Sequence, residues 1–313
     1  MAKFQTVQFK ARHFNLAGKL VFPDDFDQDT AQKMPVPALV ITHPTSADMN
    51  QTSTIYATKL AEQGFLSLIF DAAYQGQSEG EPRFIEDPAN RTEDIMYAID
   101  YLDTLSYVDG DRIGALGICA GGGYTINAAK VDKRIKAVAG VAAASAGGAY
   151  REAFGPDQQL IETLNNIAQQ RTIEARGGEA MMGQWIPNSQ AEREAAGIDD
   201  IDIVEAVDYY KTPRGADEFS PNKVRYTSLA LLLGYDPLNL VDKLLTQPLE
   251  LIIGDKPGSF GSYRFGFDVY NQAASTQKDL LVLHGISHYD LYDQPKAVDP
   301  AVEQLTKFFN KYL

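Results

Sequence analysis

The chain has 313 residues, 44% of them hydrophobic and 22% charged, the make-up of a globular protein long enough for one large core and an inserted subdomain. A net charge of −14 argues against nucleic acid and anionic membrane surfaces as partners, and a single cysteine excludes an internal disulfide. No run approaches the ~20 apolar residues of a membrane span and no signal-peptide core opens the chain, so the expected location is cytoplasmic.

Residues 4–10 and 13–22 read as two strands of an opening antiparallel hairpin. VPALVITHP at 36–44 is a continuous apolar run of strand length, as a strand buried on both faces requires. Residues 51–63 suit a helix stopped by Gly64, and FLSLIFD at 65–71 is the next buried strand. The Gly-, Ser- and Pro-rich loop AAYQGQSEGEPR at 72–83 is expected at the surface near the site, as scaffold rather than phosphate cradle, because it lacks the dinucleotide and Walker patterns. Residues 91–105 carry Ile95, Ala98, Ile99 and Leu102 on one helical face. Residues 112–118 then read as a strand, 120–130 as a helix and 138–143 as a further buried strand.

Strand and helix alternate from 36 to 143, which predicts an α/β fold with a mostly parallel, doubly wound sheet and sites at the carboxyl ends of its strands. Between about 146 and 245 the alternation is lost. Helical stretches at 157–172 and 189–210 are joined by Gly- and Pro-containing connectors, and the only tryptophan, Trp185, lies among them. We expect a core built from 1–145 and 246–313, with 146–245 inserted as a mainly helical cap or lid; the alternative is an arm that pairs two copies into a homodimer. The sheet resumes with PLELIIGD at 248–255, a helix follows around 262–275, and KDLLVLHG at 278–285 is the last strand. A closing helix is predicted from an Asp299 cap with Pro300 in its first turn.

The only cysteine falls where the strand entering at Arg112 breaks, in Gly117-Ile118-Cys119-Ala120-Gly121-Gly122. A side chain on a sharp strand-to-helix turn projects from a strained backbone, needs small neighbours, and faces free N–H groups at the helix start. That makes Cys119 a candidate nucleophile, against the alternative of a small packed side chain. A nucleophilic cysteine needs a base, and the chain has four histidines. His13 lies in the opening hairpin, and His284 reads as a structural residue within the last strand's run. His288 follows in the loop GISHYD and is the expected base, with His43 as fallback. Asp255, at the end of LIIGD, is the expected orienting acid; Asp290 and Asp293 are too near His288 in sequence to fold back easily. The order Cys119, Asp255, His288 is that of strand–helix hydrolases. Oxyanion donors are expected from the N–H of Ala120 and from the loop after 38–43. There Pro44 has no N–H, so Thr45 comes first and Ser46 second.

Taken together, HPTSA, FDAAYQGQSEGEPR, GICAGGG, LIIGD and HGISHYDLYD, in order over about residues 36–293, resemble the α/β-hydrolase superfamily, most closely its dienelactone-hydrolase-like branch with a cysteine elbow. The DAAYQG-type loop and GICAGGGY elbow are nearest to a group of bacterial hydrolases, and are also similar to fungal polyketide acyltransferases and thiohydrolases. The resemblance implies acyl chemistry on a small-molecule ester, thioester or lactone, with no cofactor, through a thioacyl intermediate. An acyltransferase using a non-water acceptor, or a silent binding protein on the same fold, is the alternative. The branch also uses a carboxylate near the oxyanion loop, loosely matched by Asp48, and Tyr74, His43 and Trp185 are candidate substrate contacts. The histidines and the cysteine show no metal-ligand spacing except His284 and His288, placed within and beyond the last strand.

Overall fold

The computed structural model describes residues 2–313. Among the described residues there are ten strands: β1 (Lys3–Lys10), β2 (Asn15–Phe22), β3 (Val36–Thr42), β4 (Leu66–Phe70), β5 (Val108–Ile118), β6 (Ile135–Val141), β7 (Met182–Gly183), β8 (Val224–Arg225), β9 (Leu249–Gly254) and β10 (Lys278–Leu283). Eight of them form one sheet in the order β1-β2-β4-β3-β5-β6-β9-β10, and β7 and β8 pair as a separate two-stranded ribbon. β1 and β2 form the expected antiparallel hairpin, and β2 joins β4 antiparallel. The pairings from β4 through β3, β5, β6 and β9 to β10 are all parallel.

Sequence and position agree here for a physical reason. β4 and β9 are buried throughout and β3 over its last five residues, as continuous apolar runs between two helical layers must be. The crossovers are the helices Thr54–Ala61, Pro88–Asp103, Ala120–Val131 and Ser262–Gln272. Asp87 starts the second of these by accepting from the Ala89 N–H, with Pro88 in its first turn.

Register sets the strand ends abreast. Thr42 pairs with both Phe70 and Gly117, Gly117 with Gly140, Val141 with Ile252, and Leu283 with Gly254. His43, Asp71, Cys119, Asp255 and His284 are the residues that follow these ends, so one edge of the sheet collects them.

Two expectations shift. The closing helix runs Pro295–Tyr312 with Pro295 in its first turn, so it starts one turn before the expected Asp299 cap. Pro300 sits inside this helix, and the Asp299 carboxylate accepts from Lys59 Nζ at 2.7 Å. The stretch 189–210 is two helices, Gln190–Ala195 and Ile201–Tyr210. Gly197 at φ +66° ends the first, and the Asp200 carboxylate begins the second by accepting from Asp202 and Ile203 N–H. No helix among the described residues is long and apolar enough to cross a membrane.

Candidate active site

Cys119 occupies the turn between β5 and the helix Ala120–Val131 with φ 55° and ψ −127°, a backbone region that side chains other than glycine rarely enter. The surrounding glycines are required by contact. A Cβ on Gly117 would stand 2.3 Å from the Gly121 carbonyl oxygen, and one on Gly121 would stand 2.4 Å from that of Thr42. The strained peptide is held from both sides. Cys119 N–H donates to Val141 O at 3.0 Å, and Cys119 O accepts from Ala144 N–H at 2.9 Å.

His288, 2% exposed, faces the sulfur from the loop after β10. Burial alone pushes the Cys119 thiol up. The positive charge of His288, with hydrogen bonds from His288, Tyr292 and the Ala120 N–H, more than offsets it and leaves the thiol below its ordinary value. The His288 ring lies 5.6 Å from Phe260 and 5.4 Å from Tyr292, centre to centre. The segment carrying it is pinned by the Tyr56 hydroxyl, which donates to Leu291 O at 2.7 Å, and by Thr52 Oγ1, which donates to Tyr292 O at 3.0 Å.

The contact at His288 Nδ1 is not made by Asp255. His288 Nδ1 lies 3.0 Å from Ser262 Oγ, at the start of the helix Ser262–Gln272. Asp255 instead meets the exposed His284, Oδ2 to Nδ1 at 2.5 Å, and accepts the Gly285 N–H at 2.6 Å. The parallel register explains this, since Asp255 and His284 directly follow the paired residues Gly254 and Leu283. The remaining aspartates are also engaged elsewhere. Asp290 accepts the Ser287 N–H at 3.1 Å, and Asp293 pairs with Arg214 at 2.7 Å.

A cavity of about 330 Å³ opens over the sulfur, with Thr45, Ser46 and Ala120 on its lining beside Cys119. Thr45 Oγ1 is buried and has no partner. The walls are largely apolar: Ala144, Ala149, Tyr150, Trp185, Ile186 and Phe260. Trp185 is fixed there by its Nε1–H, which donates to Lys223 O at 3.2 Å, and by an edge contact with Tyr150 at 5.8 Å. Tyr210 and Tyr292 also reach this cavity.

Two candidate contacts do not belong to it. His43 is fully buried, its Nδ1–H donating to Pro44 O at 2.7 Å and its Nε2 accepting the Ala72 N–H at 3.1 Å. Burial, and then the charge of Arg91, drive its basicity well below the ordinary value, and its ring is absent from the cavity lining. Arg91 donates from Nη2 to His43 O at 2.5 Å, which fixes the backbone entering the loop after β3. Tyr74, at φ 68°, packs on Phe14 at 5.3 Å and against Gly80, away from the cavity lining. The loop 72–83 is scaffold, tied to Asp71, whose Oδ2 accepts the Gln77 N–H at 2.7 Å and whose carbonyl accepts Ser78 Oγ–H at 2.6 Å. Asp48 is buried and pushed up to about 8, by burial and then by the Asp71 charge; its Oδ1 accepts the Asn50 N–H at 2.7 Å.

Sequence reasoning passed over Ser262 and Tyr292. Tyr292 stands four residues after His288, a spacing that puts two side chains on one helical face. Ser262 carries no comparable sequence signal, because only the fold brings it to the imidazole.

A family model described as X-Pro dipeptidyl-peptidase (S15 family) matches residues 14–199, more than half of the sequence. The chain belongs to the X-Pro dipeptidyl-peptidase (S15) family. It is similar to the uncharacterised protein YcjY of Escherichia coli K12, 37% identical over 299 residues that cover 96% of this chain and 95% of that one. The crystal structure of the hypothetical protein PA2218 from Pseudomonas aeruginosa is 31% identical, with TM-score 0.88 over 100% of this chain and 94% of that one. The α/β hydrolase GrgF from Penicillium sp. sh18 is 20% identical with TM-score 0.80, covering 99% of each chain. A more distant relative is the thiohydrolase aneE of Aspergillus aculeatus, 27% identical over 225 residues, 70% of this chain and 69% of that one. The fold is that of the α/β hydrolases, and its kinship is with hydrolases.

Proposed function

We propose that the protein hydrolyses esters or thioesters of apolar acyl groups through a thioacyl intermediate on Cys119, with His288 as the base. The observation that carries this reading is the backbone of Cys119, held at φ 55° at a helix N-terminus, beside His288 and under an apolar cavity. A small buried cysteine with only a packing role has no need of such strain.

In the proposed cycle the Cys119 proton passes to His288, and the thiolate attacks the acyl carbon to form the C–S bond. The carbonyl oxygen takes the negative charge and is held by the N–H groups of Ala120 and Thr45. The bond to the leaving group breaks as His288 returns the proton to it. Water then adds to the thioester, giving its proton to His288, and collapse releases the acid and restores the Cys119 thiolate. Ser262 orients the imidazole through Nδ1, the role first expected of Asp255. Residues 146–245 act as a cap, since Ala149, Tyr150, Trp185 and Ile186 come from that insertion and wall the acyl site. The walls favour an uncharged, apolar acyl chain, and the thiohydrolase among the relatives makes thioesters a first choice of substrate.

The test is turnover of p-nitrophenyl and thioester substrates of increasing acyl length by the wild type and by Cys119→Ala. Activity should peak at an apolar chain that fills the cavity and vanish in the variant. Full activity in Cys119→Ala would falsify the reading. Acylated product on an added alcohol or amine would move it to acyl transfer by the same residues.

A further inference from the structure

Tyr292 lies in the short helix Asp290–Asp293 and is fully buried. Its hydroxyl is 3.3 Å from His288 Nε2, and the side chain lines the cavity beside Cys119, where it helps to lower the thiol. Thr52 holds its backbone carbonyl, and Tyr56 holds that of Leu291, so its place is set from the opposite side of the site. Burial, and then the nearby charge of Cys119, keep the phenol far above its ordinary value, so its O–H stays intact at neutral pH.

A phenol has one proton to donate, and here it has two neighbours. When cysteine and histidine are both neutral, Nε2 is free to accept it. Once the Cys119 proton has moved to His288, Nε2 carries a proton of its own and only the sulfur can accept. Donation to a charged thiolate is also stronger than donation to the neutral imidazole nitrogen. The phenol therefore favours the charge-separated pair. Tyr210 and Tyr289 also face the sulfur and feel its charge, and the Ala120 N–H points to it, but it is the Tyr292 hydroxyl that also lies within hydrogen-bond distance of His288 Nε2.

We infer that Tyr292 is a catalytic residue whose hydroxyl donates to the Cys119 thiolate and holds the nucleophile and His288 as an ion pair before substrate arrives. As the C–S bond forms, the sulfur's charge passes to the acyl oxygen at Ala120 and Thr45. When His288 has given its proton to the leaving group, the Tyr292 O–H turns to Nε2. Tyr292 gains and loses no proton over the cycle. This role rests on Cys119 being the nucleophile.

Because Cys119 is the only cysteine, alkylation by iodoacetamide reports on it alone. The rate is followed by intact mass between pH 5 and 10 for the wild type, Tyr292→Phe and His288→Ala. The Tyr292→Phe inflection should rise by about one pH unit, with kcat for a p-nitrophenyl ester down about tenfold. An inflection superimposable on the wild type overturns the role, even if kcat falls. Should Tyr292→Phe fail to fold, 3-fluorotyrosine at position 292, a stronger donor of nearly equal size, should lower the inflection, and no movement overturns the role. Full turnover by Cys119→Ala defeats the underlying reading instead. An inactive Cys119→Ala with an unmoved Tyr292→Phe profile defeats only the assignment of Tyr292.

Discussion

At the residue scale, the partner of His288 Nδ1 decides which substitutions matter. Ser262 Oγ occupies that nitrogen, while the Asp255 carboxylate is spent on His284 and the Gly285 N–H. A hydroxyl can fix the ring's tilt and tautomer, but it supplies no charge to balance an imidazolium. In the proposed cycle that balance falls to the thiolate itself, with Ser262 as a neutral orienting group beside the Cys119–His288 pair. Ser262→Ala should therefore lower kcat by about tenfold with little change in KM, the pattern of a lost orienting contact. Asp255→Asn should stay within about threefold of wild type, because it removes a contact to an exposed ring. Steady-state kinetics on one ester decide between the two. If Asp255→Asn were the more damaging, the carboxylate would have to swing to His288 during turnover, and Ser262 would be only a resting partner.

At the element scale, the strand-to-helix turn depends on missing Cβ atoms. A methyl on Gly121 would lie 2.4 Å from Thr42 O and 2.6 Å from His43 O, both backbone atoms that cannot rotate away. Gly121→Ala should push the helix Ala120–Val131 off the end of β3, at a cost of at least about 2 kcal/mol. It should also shift the Thr45 side of the proposed oxyanion site, so activity is lost with the stability. Urea unfolding with an unchanged slope and a lower midpoint is the expected result, and a midpoint equal to wild type would contradict the packing. This turn was legible in the sequence because its requirements are local: small residues at fixed offsets around one reactive side chain, after a buried apolar run. The parallel sheet was legible for the same reason, since continuous apolar strands alternating with helical periodicity leave few topologies. The orienting contact to His288 was not legible. It joins residues 262 and 288 through the packing of Phe260 against the imidazole, and Phe260 is itself held by its N–H donating to buried Asp202 at 2.9 Å. Such a contact is set by tertiary geometry that spacing along the chain does not encode. The start of the closing helix was misread for a simpler reason, because Pro295 and Pro300 both suit a first turn and only packing chooses the earlier one.

At the scale of the whole molecule, residues 146–245, the proposed cap insertion, are fastened to the rest of the chain beside the loop after β3. Gln51 Nε2 donates to Gly215 O at 2.5 Å, Ser220 Oγ donates to Ser46 O, and Asn50 Nδ2 donates to Asp217 Oδ2 at 3.4 Å. Arg214 pairs with Asp293 and donates to Tyr289 O at 3.0 Å, tying the same segment to the loop that carries His288. At the centre of this seam Asp48 and Asp217 meet with Asp71 nearby. Burial, the Asp71 charge and the bond to Asp217 raise Asp48 from 3.8 to about 8, and its Oδ2 finds no donor by geometry. The sign follows from proton uptake. Between pH 3.8 and about 8 the unfolded chain holds Asp48 ionised and the folded chain holds it protonated, so folding binds a proton. Its contribution to stability is full below the lower value and falls as pH rises, at up to about 1.4 kcal/mol per unit, until the folded group ionises as well. Asp48→Asn keeps an acceptor for the Asn50 N–H and turns an N–H toward Asp217, without a charge to repel it. The variant should melt close to wild type at pH 4 and several degrees higher at pH 8, the difference growing steadily between. Asp71, raised to about 6, and Asp94 and Asp202, each raised to about 7, remain in both proteins, so the difference in melting temperature reports on Asp48. A gap independent of pH would mean that Asp48 is already ionised in the folded protein, and that the seam between insertion and core is held by its neutral hydrogen bonds and the Arg214–Asp293 pair alone.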